Sequence, residues 1–173
     1  GGGGLVGATL LGTVGGRVLA QTESSHKAQF EAAATKYKVP LELLLAMGYY
    51  NTLWEMPPPS SSAYRKGDPK GRGDYGIMQL TQNPSRNTLG QAAKLTALSE
   101  AQLKNDRWAN IEGGAAFLSE LVGKRRPKSL DGWQEALSHY ADTDLYASQV
   151  YRVLKSGASL TISTGERLKL SPQ

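Results

Sequence analysis

Apolar positions along this chain recur mostly at helical spacing, and they mark a succession of short amphipathic helices. Phe30, Ala33, Ala34 and Tyr37 fall at i, i+3, i+4 and i+7, which predicts a helix over 26–38. Pro40 stands where a first-turn proline is tolerated. Leu41, Leu44, Leu45 and Gly48 then form the buried stripe of a second helix, expected to run to about Glu55. Continuing that stripe by three or four residues brings Asn51 and Thr52 to the same side, so Asn51 is expected to face inward at the helix end. Met56 and the run Pro57-Pro58-Pro59 stop the helix, because three successive prolines supply no backbone N–H.

Residues 60–73 are polar and rich in Ser, Gly and Lys, a loop long enough to form a groove rim. The apolar stretch 75–80 is short and reads as a strand or a turn. Two short helices follow over 89–96 and 99–104, the second with Ser99 as N-cap and Gln102 completing a capping box. Asp106 can cap a helix to about Val122 that carries Gly113 and Gly114 at its middle. Adjacent glycines cost about 1 kcal/mol each in a helix, so close packing against a helix or a ligand is the expected compensation. Asp131 opens a helix through Trp133, Ala136, Leu137 and Tyr140. Asp144 opens another, with Tyr146, Val150, Val153 and Leu154 inward and Gly157 closing it. Residues 158–173 are polar with weak alternation and no partner strand in view, and read as a linker or tail leading to a missing C-terminal domain.

A chain of 173 residues corresponds to about one domain, burying roughly two-thirds of its unfolded surface. The balance of 20 Lys and Arg against 15 Asp and Glu leaves a net charge of +5. That excess fits an anionic polymer partner and fits an ordinary domain equally well. Lys124-Arg125-Arg126 is the one tight basic run, and with Pro127 behind it the run reads as a solvated interhelical loop. Nucleic-acid binding is therefore not expected. The absence of Cys excludes disulfides and thiolate metal ligands. His26 and His139 lie far apart, so neither a metal nor another cofactor is expected. Residues 5–20 are apolar, Gly-rich and interrupted by Arg17, and too short to span a bilayer comfortably. With Val18-Leu19-Ala20 ahead of a polar stretch they resemble the end of a secretory signal peptide, the alternative being a leader with no targeting role. A leader over 1–25, a secreted and wall-associated location, no stable membrane insertion and a monomeric state are the resulting expectations.

Two segments carry candidate chemistry. The apolar run from Leu43 ends in Asn51-Thr52-Leu53-Trp54, and Gly73-Asp74-Tyr75-Gly76-Ile77-Met78-Gln79-Leu80 follows. Together they resemble the active-site core of the lysozyme-like superfamily, the soluble lytic transglycosylases and goose-type lysozymes. There an apolar helix ends in Glu-Ser-x-Trp/Phe, the Glu protonates the glycosidic oxygen, and a Gly-Leu/Ile-Met-Gln segment lines the sugar groove. In this chain Asn51 stands at the acid position. Asn110-Ile111-Glu112-Gly113-Gly114-Ala115-Ala116-Phe117-Leu118 is similar to a third family helix, Ala136 through Asp142 to the family's Ala-x-x-x-Tyr-Asn-x-Gly turn, and Tyr151-Arg152-Val153-Leu154 to its last helix. The resemblance covers about residues 26–157. It implies a mostly α, lysozyme-like helical domain with a groove and at most a small β element. A narrower likeness, Trp54-Glu55 ahead of Tyr75-Gly76-Ile77-Met78, is to domains preceding the zinc amidase of secreted bacterial N-acetylmuramoyl-L-alanine amidases, and it implies a larger parent protein. Two histidines cannot build that amidase's His-rich zinc site, so the chain would be the non-amidase part.

Cleavage of a β-1,4 bond between amino sugars needs a carboxyl kept protonated beside the leaving oxygen. Asn51 can donate a hydrogen bond but transfers no proton, and losing a general acid costs about 10²- to 10⁴-fold in rate. Two carboxylates are candidate replacements. Glu55 lies at i+4 from Asn51, where a continuing helix would raise its pKa through the C-terminal dipole; the competing reading is an exposed carboxylate at a helix end. Asp74 beside the groove segment is a candidate base or electrostatic stabiliser, or a loop-capping residue. Gln79 suits an N-acetyl or hydroxyl group, and Met78 is groove lining or core. Tyr75 and Tyr140 are candidate sugar contacts or buried aromatics with satisfied hydroxyls. The partner implied by the resemblance is the glycan strand of peptidoglycan. Two functions stay open, a non-catalytic peptidoglycan-binding module and an active muramidase or lytic transglycosylase using Glu55 or Asp74. A protein-interaction module using the cleft is a third.

Overall fold

The computed structural model describes residues 24–173, so the leader expected over 1–25 lies almost entirely outside the described residues. Ser25 belongs to the domain. Its hydroxyl accepts from the Ala28 N–H at 3.1 Å and caps α1, His26–Tyr37, whose Phe30, Ala33 and Ala34 are buried as their spacing predicts. Lys38 in a left-handed conformation then turns the chain into α2, Leu41–Thr52. All of Leu43 through Gly48 is buried, because α1, a later helix and a C-terminal strand all pack around α2.

The second helix stops at Thr52, one turn short of the expected Glu55. Leu53 and Trp54 take φ of 54° and 62°, and their N–H groups return to Tyr49 O at 2.9 Å and Gly48 O at 3.1 Å. Two non-glycine residues in this region cost about 1–2 kcal/mol each. The exit swings Trp54 into the core, where it is fully buried and its indole N–H donates to Leu45 O at 2.8 Å. Burying an indole removes about 150–250 Å² from water, worth several kcal/mol at about 25 cal/mol per Å², and this outweighs the strain. The helix therefore ends before the prolines are reached.

After a short 3₁₀ turn at Pro59–Ser61 and a polar loop comes an antiparallel sheet of β1 (Asp74–Tyr75), β2 (Leu80–Asn83) and β3 (Arg86–Asn87). Asp74 faces Thr81, Tyr75 faces Leu80, and Asn83 faces Arg86. The apolar stretch 75–80 is thus strand, turn and strand. Then follow α3 (Thr88–Thr96), α4 (Glu100–Asn105) and α5 (Arg107–Val122). The Ser99–Gln102 capping box forms in full, whereas Asp106 occupies the cap position of α5 without a side-chain bond. The glycine pair does permit close packing. A Cβ on Gly113 would sit 2.8 Å from the Leu103 side chain, and one on Gly114 would sit 2.6 Å from Met78 Cβ.

Asp131 opens only a 3₁₀ turn, Leu130–Trp133; α6 begins at Gln134 and ends at Ala141, and α7 spans Asp144–Ser156. The reading of 158–173 as a tail without a partner strand is corrected. β4 (Ala158–Thr161) and β5 (Arg167–Leu170) pair with each other as a hairpin, with Leu160 opposite Leu168. Leu168 and Leu170 share one face at strand spacing and are buried with Ile162. The Glu166 carboxylate accepts from the N–H groups of His26 at 2.9 Å and Lys27 at 3.1 Å, satisfying donors at the start of α1. The described residues thus form a mostly helical domain with two small antiparallel β elements.

Candidate functional site

The turn joining β1 to β2 is buried between helices, so its polar backbone groups cannot rely on water. Side chains from three helices satisfy them. Asn110 of α5, with 0% exposure, accepts from Met78 N–H at 2.7 Å and donates to the carbonyls of Tyr75 at 2.9 Å and Leu103 at 2.8 Å. Tyr140 of α6 donates its hydroxyl to Met78 O at 2.6 Å. Asn51 at the end of α2 donates from Nδ2 to Ile77 O at 3.1 Å. Gly76, at φ 75°, leaves room for this clamp, since a Cβ there would lie 2.3 Å from Asn110 Nδ2.

The other end of the Asn51 amide is also engaged. Tyr146 of α7 donates its hydroxyl to Asn51 Oδ1 at 3.1 Å. The Tyr146 ring stacks on Tyr140 with centroids 6.0 Å apart and meets the edge of the exposed Tyr50 at 5.6 Å. Burial pushes both the Tyr140 and Tyr146 hydroxyls well above the usual tyrosine value. Both remain protonated donors at neutral pH. Asn51 and its immediate partners therefore carry no formal charge.

Glu55 does not extend this site. Because α2 ends at Thr52, its carboxylate reaches the C-terminal hairpin and accepts from Ser163 N–H at 2.7 Å and Ser163 Oγ at 2.6 Å. Those hydrogen bonds hold its carboxyl below the usual carboxylate value. The expected upward shift from a helix dipole is thus reversed. Met78 is fully buried against Gly114, so its side chain is core while its backbone anchors the turn. Tyr140 is the buried aromatic with a satisfied hydroxyl. Tyr75 is buried too, with Lys104 Nζ 4.8 Å from its ring centroid. Gln79, at φ 50°, folds its amide back onto Gly76 O at 2.9 Å. Asp74 accepts the Thr81 hydroxyl at 2.6 Å and lines an open cavity of about 590 Å³.

Three residues of this arrangement were given no site role by sequence reasoning. Asn110 had a usable signal, a neutral amide inside an otherwise apolar helical stretch, where a buried polar group needs a specific partner. Tyr146 was readable only as an inward position of α7. Arg86 lay in an unremarked turn; its Nη2 donates to the carbonyls of His139 at 2.7 Å and Tyr140 at 2.5 Å.

Among the described residues no helix is long and apolar enough to cross a membrane, and no group of three His, Cys, Asp or Glu is placed to hold a metal ion. Comparisons with protein families, with curated proteins and with solved structures find no match to this chain.

Proposed function

We propose that this chain is a peptidoglycan-binding module of lysozyme-like architecture that does not cleave glycan. The observation that carries the reading is Asn51. It ends an apolar helix, faces a Gly-Ile-Met-Gln turn, and is tied through both ends of its amide to Ile77 O and to the Tyr146 hydroxyl. These contacts support a frame like the one that presents an acid to a sugar, with a group at its centre that cannot transfer a proton. A displaced acid has less support. Glu55 is turned away onto Ser163 and favours its anion. Asp74 is the remaining candidate, and it is engaged by Thr81. The narrower likeness to domains that precede a zinc amidase belongs to the same proposal, as does a secreted, wall-facing, monomeric protein.

Cosedimentation with insoluble peptidoglycan and zymography on purified wall test the reading together. Retention should weaken with salt without vanishing, since the charge excess is small and sugar contacts are mainly hydrogen bonds and apolar stacking. The unmodified chain should produce no clearing. In Asn51→Glu the carbonyl of Ile77 would favour the protonated carboxyl, the form a general acid needs, and clearing should emerge. Failure to sediment at low salt removes the binding role, and clearing by the unmodified chain that disappears in Asp74→Asn installs the displaced-acid mechanism instead.

A further inference from the structure

The cavity beside Asp74 has a composition that a bare glycan does not require. It is bordered by the loop ahead of β1, by β1 to β3 and by the turn between α6 and α7, and its volume of about 590 Å³ falls within the roughly 300–1,000 Å³ of small-ligand clefts. Three guanidinium groups, Arg65, Arg72 and Arg86, and three carboxylates, Asp68, Asp74 and Asp142, line it. Glycan hydroxyls and acetamides are neutral. Covering charged groups with a neutral ligand removes water from them without supplying a counter-charge.

The charges differ in how far the protein satisfies them. Arg65 and Asp68 are a close pair, at 2.8 and 2.9 Å, and Asp68 also accepts from Lys70 N–H at 2.8 Å. Arg86 and Arg72 are held differently. Arg86 is anchored by the carbonyls of His139 and Tyr140, and its contact with Asp142 is 3.8 Å long to a carboxylate that is 86% exposed. Arg72 donates from Nε to Pro69 O at 2.9 Å. Backbone carbonyls orient a guanidinium without neutralising its charge. The two arginines are also linked through one residue, since Asn83 faces Arg86 in the ladder and its amide donates to Arg72 O at 2.9 Å. On the same wall Asp74 and Asp142 present charge of the opposite sign.

We infer that this cavity binds the short peptide branch of the wall polymer, with Arg72 and Arg86 receiving its carboxylates and Asp74 and Asp142 facing its free amine. The inference rests on the peptidoglycan reading above and names the part of the polymer that reading leaves open. Asn51 does not line the cavity, but the two places are joined through the backbone. Asp74 begins the strand leading into the clamped turn, and Arg86 grips the backbone of Tyr140, whose hydroxyl clamps that turn. A glycan passing Asn51 would carry its branch into the charged wall.

The test is calorimetric titration of the chain with two soluble probes, a muropeptide bearing its peptide stem and the same saccharide with the stem replaced by a methyl amide, so that no lactyl carboxylate is left free. The stem should raise affinity about tenfold or more at low salt, and the gain should shrink as salt is added. Arg72→Gln, at an exposed position, should remove most of that gain, roughly tenfold, and leave affinity for the stem-free saccharide unchanged. Arg86→Gln should do the same; because Arg86 also holds the end of α6, its melting curve is recorded alongside. Equal affinity for the two probes, or a stem-dependent gain that survives in Arg72→Gln, overturns the inference while the glycan reading stands. Binding of neither probe overturns both.

Discussion

Replacing Asn51 with Asp changes one donor into an acceptor at constant shape, and the surroundings dictate the consequence. Asn51 Nδ2 lies 3.1 Å from Ile77 O, so in ionised Asn51→Asp a carboxylate oxygen would confront a carbonyl oxygen. Leaving that carbonyl, in a residue with 0% exposure, unpaired costs about 1–3 kcal/mol. Protonation restores the bond, because a carboxylic acid can donate to Ile77 O while still accepting from Tyr146. The folded carboxyl is therefore raised above its unfolded value of about 3.9. A raised pKa means the stabilising contact is fully present below about pH 4 and is lost as pH rises through the folded value. At pH 7 the variant should melt roughly 2–12 °C below the unmodified chain, taking about 2–4 °C per kcal/mol for a domain of this size. The gap should close near pH 4. Thermal melts of the two proteins in parallel check this, and their difference cancels every titration they share. Equal melting temperatures at pH 7, or a gap that persists unchanged into acid, would refute the argument that the Asn51 amide holds the turn.

Tyr140→Phe removes the donor to Met78 O and leaves a buried carbonyl unpaired, so chemical denaturation should show a loss of about 1–3 kcal/mol with the helical circular dichroism intact. Gly76→Ala meets both a positive φ and the Asn110 amide 2.3 Å from the new Cβ, and its urea midpoint should fall by the equivalent of at least about 2 kcal/mol. Ser163 holds the Glu55 carboxyl below its ordinary 4.5, so its contribution is present above that value and is lost as pH falls through the folded one. Acid titrations of stability should be flatter in Glu55→Gln, by about 1 kcal/mol or less for a carboxylate near the surface. Burial, then Arg107, lowers the pKa of His26 below 6.5; stability should therefore fall as pH drops beneath 6.5, and His26→Gln should lose that part of the acid dependence in urea melts.

The order of helices and several of their caps were legible in the sequence because they depend on neighbours within a turn. Phe30 with Ala33 and Ala34 and the Ser99–Gln102 box report local geometry, and each behaves in the fold as its spacing indicated. The end of α2 was not legible. Pro57 marked an outer limit, while the actual stop at Thr52 follows from Trp54 entering a core built by other elements. The C-terminal hairpin escaped for the same reason, since the alternation of Leu168 and Leu170 acquires meaning only when β4 and the helices cover one face. At the candidate site, sequence determined that a neutral amide ends an apolar helix ahead of a Gly-Ile-Met-Gln turn. Tertiary structure decided what that amide and its neighbouring carboxylate do: Asn51 meets a hydroxyl 95 residues away, and Glu55 meets a serine 108 residues away. Periodicity records which way a side chain points, whereas hydrogen-bond partners and proton affinities depend on groups that only folding brings within about 3 Å.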